Sequence, residues 1–327
     1  MNKCSYIRYK KELNNKKLIN EKEIITNNKM DANSQSTGLK RRTIDKYYTS
    51  QDAVNKCIDL IRKTIEVNED DLCIEPSAGN GSFINGIKSL FKNYRFYDLE
   101  PEKNEKNEKN EMNEKNEKNE KNEMNEIIKQ DYLEFNYNTM IKTDFNKKHI
   151  VGNPPFGRQS SLAIKFIKKS AEYCDSISFI LPKSFKKESL KKHFPLNLHL
   201  VCESQLSDNS FIVDNKSYDV PCVFQIWVKK DTNRTIPKKL IPNKFSFVKK
   251  EIPHDISFRR VGINAGEIHR ETENKSIQSH YFIKFDDILT NEKYMELSII
   301  VYHCKDNTVG PKSISKPELI KEFNMVL

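Results

Sequence analysis

The sequence predicts an α/β protein with an open, largely parallel sheet covered by helices. Residues 45–230 alternate short β-rich runs with segments of helical apolar spacing, which is typical of a parallel sheet with helices on both faces. A glycine-containing turn at residues 76–81 follows the first β-rich run and precedes a helical segment. An open α/β sheet holds its ligand at such a turn, against the C-terminal edge of its strands. These observations favour a nucleotide-binding architecture.

Runs rich in β-branched and aromatic residues predict the strands of this sheet. They are residues 71–74, 94–97, 127–130, 149–151, 176–181, 198–202 and 222–228. Between the fourth and fifth of these strands, residues 161–169 carry apolar side chains at helical spacing behind a serine, which predicts a capped helix.

Charge and cysteine content limit the class of protein. The chain of 327 residues has a formal net charge of +10, which suits a polyanionic partner, although free use of Lys and Asn by a biased genome would produce the same excess. Its seven cysteines include no C-x-x-C pair, so we expect neither a metal site nor a disulfide framework. The N-terminus lacks the apolar core of a signal peptide and no run of about 18 apolar residues occurs, so we expect a soluble cytoplasmic or nuclear protein with no membrane partner.

Three zones predict the domain organisation. Residues 1–44 are polar and basic, and we expect a flexible basic N-terminal arm there. Residues 45–230 hold the predicted sheet, interrupted by a low-complexity Glu/Lys/Asn repeat at residues 102–126. The repeat has a period of three, which does not match the 3.6 residues of a helical turn, so it lacks an apolar face and predicts a solvated insertion. Residues 231–327 form a basic, strand- and loop-like C-terminal region and are a candidate for substrate recognition.

Three carboxylates follow predicted strands, where a ligand would meet them. Glu75 precedes a turn whose Gly79 and Gly81 can adopt backbone angles closed to other residues. A carboxylate at that point repels phosphate and suits a ligand that carries a positive charge or an amino group. Asp98 ends the next strand, where an acidic side chain can accept both hydroxyls of a ribose, and Asp131 ends the third, where it could take an exocyclic amine. Each motif taken alone also fits an ordinary turn.

The stretch VGNPPFGR, residues 151–158, predicts a rigid corner after the fourth strand. Pro154 and Pro155 fix two φ angles and remove two backbone donors. Asn153 places a side-chain acceptor directly before the prolines, and Phe156 offers an aromatic face directly after them. Such a corner can hold hydrogen-bond acceptors and a stacking surface in fixed positions.

The motifs EPSAGNGSF, YDLEP, QDYL and NPPFG, in this order, resemble those of the class I S-adenosylmethionine-dependent amino-methyltransferases. Within that family they resemble the NPP[FY]-type enzymes that methylate the N6 amino group of adenine in nucleic acid. The resemblance covers residues 45–230. It implies a Rossmann-like sheet of seven strands with helices on both faces, S-adenosyl-L-methionine as cofactor, and N6-adenine methyltransferase activity on DNA or RNA.

The resemblance also implies which residues bind the cofactor. They are Tyr48, Thr49, Glu75, Pro76, Gly79, Gly81, Phe83, Asp98, Asp131 and Tyr132. In this interpretation Glu75 and the two glycines line the methionine part, under the segment that contains Tyr48 and Thr49. Asp98 holds the ribose. Asp131 and Tyr132 meet the adenine of the cofactor.

The catalytic residues that the resemblance implies are Asn153, Pro154, Pro155 and Phe156. The Asn153 side-chain oxygen and the Pro154 carbonyl would each accept one N–H of the target amino group, while the prolines hold these acceptors still. Phe156 would stack on the target base. A base in a duplex would have to be flipped out to reach this pocket.

Further substrate contacts are predicted in later loops. Phe211 is the candidate for a second aromatic that closes over the base. Arg259 and Arg260, in the stretch 258–266, are candidates to meet a phosphate chain, although a structural hairpin fits that stretch as well. The repeat stands where the family usually has a helix, which would loosen the adenine side of the cofactor pocket.

Two other functions stay open. A protein glutamine side chain also carries N–H groups that fit an Asn-Pro cradle, so a glutamine N-methyltransferase is one alternative. A catalytically silent methyltransferase-fold binding protein is the other, and the intact Glu75, glycine and Asn153 positions count against it. The sequence leaves the choice between DNA and RNA, and any protein partner, undecided.

Overall fold

The computed structural model describes residues 47–101, 126–141, 144–213 and 216–327. The predicted N-terminal arm and nearly all of the predicted insertion at residues 102–126 lie outside these ranges. Within them, no helix is long and apolar enough to cross a membrane. Nor do three or more potential metal ligands from His, Cys, Asp and Glu come together in the described ranges.

Strands and helices alternate along the described chain. The strands are β1 (Tyr48–Thr49), β2 (Leu72–Glu75), β3 (Asn93–Asp98), β4 (Ile127–Lys129), β5 (Lys148–Gly152), β6 (Ser176–Pro182), β7 (Leu198–Gln205), β8 (Phe211–Val213), β9 (Lys216–Tyr218), β10 (Cys222–Lys229), β11 (Phe245–Val248), β12 (Ile256–Arg259), β13 (Ile268–His269) and β14 (His280–Phe285). The helices are α1 (Gln51–Thr64), α2 (Ile84–Lys88), α3 (Tyr137–Met140), α4 (Ser161–Ala171), α5 (Glu188–Lys191), α6 (Asn291–Ser298) and α7 (Lys316–Val326).

A sheet of seven strands forms the centre of the fold, in the order β4-β3-β2-β5-β6-β10-β7. Neighbouring strands are parallel, except that β10 runs antiparallel to both β6 and β7. These are the seven strands that the β-rich runs predict. The predicted Rossmann-like α/β fold is therefore confirmed.

The order of the strands reverses between β2 and β5. The chain runs outward from β2 through β3 to β4, and then returns to place β5 on the other side of β2. These two parallel neighbours end at Glu75 and Gly152. The crevice outside the strand ends at such a reversal is where open α/β sheets bind ligands.

Alternation along the central strands divides the core between the two faces of the sheet. Leu72 and Ile74 of β2 belong to one buried cluster, which includes Ala163 of α4. Cys73, between them, belongs to a second cluster, which includes Val54 of α1. Helices therefore cover both faces, as predicted.

Helix α4 begins at Ser161, but the predicted serine cap is wrong. Ser160 precedes the helix with a left-handed φ of 61°, and its side chain makes no capping hydrogen bond. Instead the carbonyl of Phe156 accepts hydrogen bonds from the N–H groups of Leu162 at 3.1 Å and Ala163 at 3.3 Å. The first turn of α4 therefore holds the end of the Asn-Pro-Pro-Phe corner.

A small antiparallel sheet, β1-β8-β9, lies beside the central one. In it Tyr48 pairs with Ile212 and Thr49 pairs with Phe211. The backbone N–H of Ser50 continues this pairing by donating to the carbonyl of Ser210 at 2.9 Å. The pairing gives the residues before α1 a defined position.

Residues 245–326 fold around a buried cluster of their own. The antiparallel sheet β11-β14-β12-β13 packs with α6 and α7 around buried side chains such as Phe258 and Phe323. Helix α7 begins with a capping box between Ser315 and Glu318. Lys187, which follows β6, donates to the carbonyl of Ser313 at 2.8 Å and joins this part of the chain to the central sheet.

Candidate active site

The two loops that follow β2 and β5 are held against each other. Gly152 has φ +151°, and a Cβ built on it would lie only 3.2 Å from Cγ of Glu75. The absence of a side chain at Gly152 therefore lets β5 end directly beside Glu75. The hydroxyl of Ser77 donates to the backbone carbonyl of Asn153 at 3.2 Å. The glycine turn and the Asn-Pro-Pro-Phe corner are thus in direct contact.

Asn153 carries an oriented and unsatisfied acceptor. Its amide nitrogen donates to the carbonyl of Tyr47 at 3.1 Å and to the hydroxyl of Thr49 at 3.3 Å. A backbone carbonyl only accepts, so this bond fixes which end of the amide faces β1. The other end, Oδ1, is buried and has no hydrogen-bond partner in the described part of the chain. A buried acceptor of this kind is available to the donor of a ligand or a water molecule.

Glu75 is the second buried group with an unsatisfied oxygen. Its side chain is 2% exposed, and Oε2 lacks a partner among the described residues. Burial raises the pKa of its carboxyl to about 8, and the nearby negative charge of Asp98 adds to the rise. A positively charged group placed beside Glu75 would favour its ionised form.

The glycine turn is built as the sequence predicts. Gly79 and Gly81 have φ values of +56° and +80°, in the left-handed region that favours glycine. The N–H of Gly79 donates to Oδ2 of Asp98 at 2.8 Å, so Asp98 lies against the turn. A Cβ built on Gly79 would meet the Tyr48 ring at 3.4 Å. The predicted cofactor residues Tyr48, Gly79 and Asp98 are therefore neighbours.

The corner itself is rigid and offers an aromatic face. Pro154 is buried, while Pro155 and Phe156 are half-buried. The ring of Phe156 packs against both buried clusters of the central sheet. Its carbonyl is held by the first turn of α4, and Gly157 follows with φ +67°. The backbone of the corner is thus tied at both ends.

Two predicted cofactor residues lie in the supporting core. Phe83 is 2% exposed and belongs to the cluster under α1. Pro76 is buried next to Gly152, with Cδ 3.7 Å from a Cβ built there. Both are buried residues that flank the glycine turn in the chain.

Asp131 and Tyr132 divide between surface and core. Asp131 is exposed at the end of β4, and its Oδ1 accepts the N–H of Leu133 at 2.9 Å. The Tyr132 side chain is fully buried, its hydroxyl is hydrogen-bonded to those of Ser170 and Tyr173, and its ring stacks on Phe166. Burial favours a structural role for the Tyr132 side chain.

The side chain of Phe211 is not exposed, as a residue that closes over a base would have to be. Its side chain is completely buried and meets the Tyr47 ring edge-on, with centroids 6.3 Å apart. The exposed aromatic at this place is Tyr218, which is 48% exposed and packs on Tyr47 with ring centroids 5.4 Å apart. The sequence analysis does not predict Tyr218 as a substrate contact, because a single aromatic residue among polar ones does not indicate a binding site.

Arg259 ends β12 of the β11-β14-β12-β13 sheet, and Arg260 is the next residue, so neither belongs to the central sheet. Arg259 donates through Nε to the carbonyl of Val261 at 2.8 Å. Arg260 donates to the carbonyl of Gln278 at 2.7 Å, and its guanidinium lies over the Tyr281 ring. The structure does not bring them together with Asn153.

No family model matches the chain, and no curated protein matches it. Solved structures with a similar fold include PH1948 of Pyrococcus horikoshii, a proposed RNA methyltransferase, at 16% identity and TM-score 0.39, covering 57% of this chain and 87% of that one. Another is the 23S rRNA methyltransferase ErmE, at 11% identity and TM-score 0.38, covering 58% and 72%. A third is the N-methyltransferase NodS of Bradyrhizobium japonicum WM9, at 12% identity and TM-score 0.36, covering 55% and 96%.

Proposed function

We propose that the chain is an S-adenosylmethionine-dependent methyltransferase that acts on the N6 amino group of adenine in nucleic acid. The observation that carries the proposal is the buried, unpartnered Oδ1 of Asn153, oriented by the bonds from its amide nitrogen to Tyr47 and Thr49. An amino group with two N–H donors would satisfy this acceptor together with the adjacent carbonyl of Pro154.

The neighbouring residues fit the cofactor. Glu75, with its unpartnered oxygen and raised pKa, suits the positively charged methionine end. Gly79 and Gly81 let the ligand approach the backbone, and Asp98 supplies acceptors for ribose hydroxyls. Asp131 is the candidate acceptor for the amino group of the cofactor adenine. S-adenosylmethionine, when bound, supplies an electrophilic methyl group on a sulfonium.

The Asn-Pro corner explains how a weak nucleophile could react. The lone pair of an adenine amino group is delocalised into the ring. When Asn153 Oδ1 and the Pro154 carbonyl each accept one N–H, the nitrogen becomes pyramidal. Its lone pair is then no longer delocalised into the ring and can point at the methyl carbon. The nitrogen gains the methyl and loses one proton. Neither acceptor is basic, so the proton passes to water.

Preorganisation accounts for the use of prolines here. The acceptors are fixed before the substrate arrives, by Thr49, Ser77 and the first turn of α4. Fixed dipoles need no reorganisation as charge develops on the nitrogen, which is the main source of catalysis in sites of this kind. Phe156 offers its half-buried ring to the base.

The charge of the chain supports a nucleic-acid substrate. A formal net charge of +10 favours a polyanion over a neutral peptide. The exposed Tyr218 and its neighbour Lys216, both on β9, add a stacking ring and a cation on the β1 side of Asn153.

The test is transfer of labelled methyl from S-adenosylmethionine to separate pools of single-stranded DNA, duplex DNA, total RNA and protein extract. Asn153→Ala is run in parallel, and Asn138→Ala, an exposed asparagine of α3, is the matched control. We expect label in a nucleic-acid pool with the wild type and with Asn138→Ala, and none with Asn153→Ala. Label only in protein would support glutamine methylation instead. Cofactor binding without transfer to any pool would support a silent binding protein.

A further inference from the structure

A polar cavity lies in the C-terminal region, among residues 259–280. It has a volume of about 350 Å³ and lies along β12, β13 and the segment that leads into β14. Its lining includes Arg259, His269, Lys275, Ser279 and His280, with Glu267 as its acidic residue. The cavity is therefore dominated by groups that are, or can become, cationic.

Arg259 is fixed in this wall by neutral partners. Its Nε donates to the carbonyl of Val261 at 2.8 Å and its Nη1 to the hydroxyl of Ser279 at 3.4 Å. A Cβ built on Gly262, which has φ +103°, would lie 3.2 Å from Nη2. Glycine at this position thus leaves room for the guanidinium. These neutral bonds orient the charge without neutralising it.

Nearby positive charges lower the pKa of both histidines in the cavity. Burial lowers the pKa of His280 below its ordinary 6.5, and Arg259, His269 and Lys275 lower it further, against the opposing effect of the hydrogen bond to the Ser276 carbonyl. The pKa of His269 is lowered by burial and by Lys275 and Arg259, against an opposing effect of Glu267, whose Oε2 lies 3.7 Å from His269 Nε2. Positive groups that repel one another in one cavity are stabilised by a bound anion.

The tautomer of His280 is set by its partners. Nδ1 lies 3.0 Å from the hydroxyl of Ser279, which can donate or accept, and 3.1 Å from the carbonyl of Ser276, which only accepts. The carbonyl favours the tautomer that carries its hydrogen on Nδ1. A further proton must then go to Nε2, which gains an N–H donor. His280 is 5% exposed, so this donor would serve the cavity rather than bulk water.

We propose that this cavity binds a phosphate group of a nucleic-acid strand while the adenine lies at Asn153. The choice of polymer rests on the proposed function. The guanidinium of Arg259, the ammonium of Lys275 and the Ser279 hydroxyl supply donors from several directions, which suits a tetrahedral anion. The same chemistry would also admit free inorganic phosphate, so the test separates the two sources.

The first measurement is the affinity of the full chain for a fluorescent single-stranded oligonucleotide that has internal phosphates only. We expect Arg259→Gln and Lys275→Gln each to weaken binding about tenfold and to flatten the salt dependence by roughly one counterion. Lys284→Gln, an exposed charge on β14 outside the cavity, is the matched control and keeps wild-type affinity. Circular dichroism melting checks folding, and Lys275→Gln decides the question if Arg259→Gln unfolds. Wild-type affinity in both folded variants would overturn the proposal.

A second measurement separates the source of the phosphate. Inorganic phosphate is titrated against the oligonucleotide complex, with chloride at equal ionic strength as the reference. Oligonucleotide binding that depends on Arg259 and Lys275 and resists millimolar phosphate supports the polymer. Displacement by millimolar phosphate, with equal affinity of both variants for the oligonucleotide, would assign the cavity to the free anion and overturn the proposal.

Lower pH gives a third readout. The pKa values of His269 and His280 are both lowered from 6.5, so these side chains gain protons only at a pH below that value. The cavity also contains Arg259, Lys275 and Glu267. We expect the affinity of the wild type for the oligonucleotide to rise as the histidines become protonated.

Lack of methyl transfer with intact cavity-dependent binding would refute the proposed function alone. Methyl transfer with no effect of the cavity variants on affinity or KM would refute the cavity alone.

Discussion

The side-chain amide of Asn153 donates a hydrogen bond to the hydroxyl of Thr49 across 3.3 Å. This contact joins the corner after β5 to the short strand that precedes α1. Together with the bond to the Tyr47 carbonyl, it turns Oδ1 of Asn153 away from β1 and leaves it without a partner in the described chain. Thr49 is thus a positioning residue for the proposed reaction.

Replacing Thr49 tests this relationship. Thr49→Val keeps the shape but removes the acceptor, and a lost hydrogen bond of about 1 kcal/mol corresponds to a roughly fivefold lower kcat. We expect KM for the cofactor to change less than kcat, and Thr49→Ser to restore the rate. A Thr49→Val enzyme with wild-type kcat in single-turnover assays would show that the contact does not position Asn153.

The raised pKa of Glu75 makes the stability of the protein depend on pH. The folded state holds this carboxyl protonated up to about pH 8, whereas the unfolded chain releases the proton near its ordinary pKa of about 4.5. The folded state therefore binds more protons between these values, and stability falls as pH rises, by up to roughly 1.4 kcal/mol per pH unit from this group.

Glu75→Gln removes that contribution. We expect chemical denaturation to show a flatter loss of stability between pH 5 and pH 8 in the variant, which becomes more stable than the wild type at pH 8. Calorimetry should show much weaker cofactor binding, because the charge that faces the methionine end is gone. Glu134→Gln, an exposed carboxyl, should behave as wild type in both measurements. Equal slopes for wild type and Glu75→Gln would exclude Glu75 as the titrating group.

Tyr218 should contribute to binding of the nucleic acid and little to folding. Its ring is 48% exposed beside Tyr47, and stacking on a base is worth about 1–3 kcal/mol. Tyr218→Ala should raise KM for an adenine-containing oligonucleotide about tenfold, with an unchanged melting temperature. Tyr218→Phe keeps the ring and should keep KM. A normal KM in Tyr218→Ala would remove this residue from the substrate surface.

Phe211 should behave in the opposite way. Because its side chain is fully buried in the cluster under α1, Phe211→Ala should lower the free energy of unfolding by about 3–5 kcal/mol. Urea denaturation measures this loss. A variant as stable as the wild type that has lost substrate affinity would instead show that Phe211 contacts the base.

Local patterns predict the central sheet because its most buried strands are short apolar runs, each recognisable by itself. Leu72–Glu75 and Ser176–Pro182 are buried along their whole length. Each strand therefore reads as one short, β-rich segment in the sequence. The glycine turn and the Asn-Pro-Pro-Phe corner are predicted for the same reason, since their backbone requirements lie within a few residues.

Features that depend on distant residues are not predictable in this way. The partners of the Asn153 amide lie 106 and 104 positions earlier in the chain. Phe211 is buried in the cluster that includes Val54 of α1, and its backbone pairs with Thr49 of β1. The absent cap of α4 follows from the carbonyl of Phe156 taking the role of the Ser160 side chain. Each of these depends on how the sheet brings separate loops together.

The most direct test of the central claim is nucleoside analysis by mass spectrometry after methyl transfer to single-stranded DNA and total RNA. We predict N6-methylated adenine nucleosides with the wild type and with Asn138→Ala. Asn153→Ala should form at least about 100-fold less product, as expected when a preorganised acceptor is removed, while its cofactor affinity stays within about twofold of wild type. Methylation at another base or atom, or equal product from Asn153→Ala, would contradict the account.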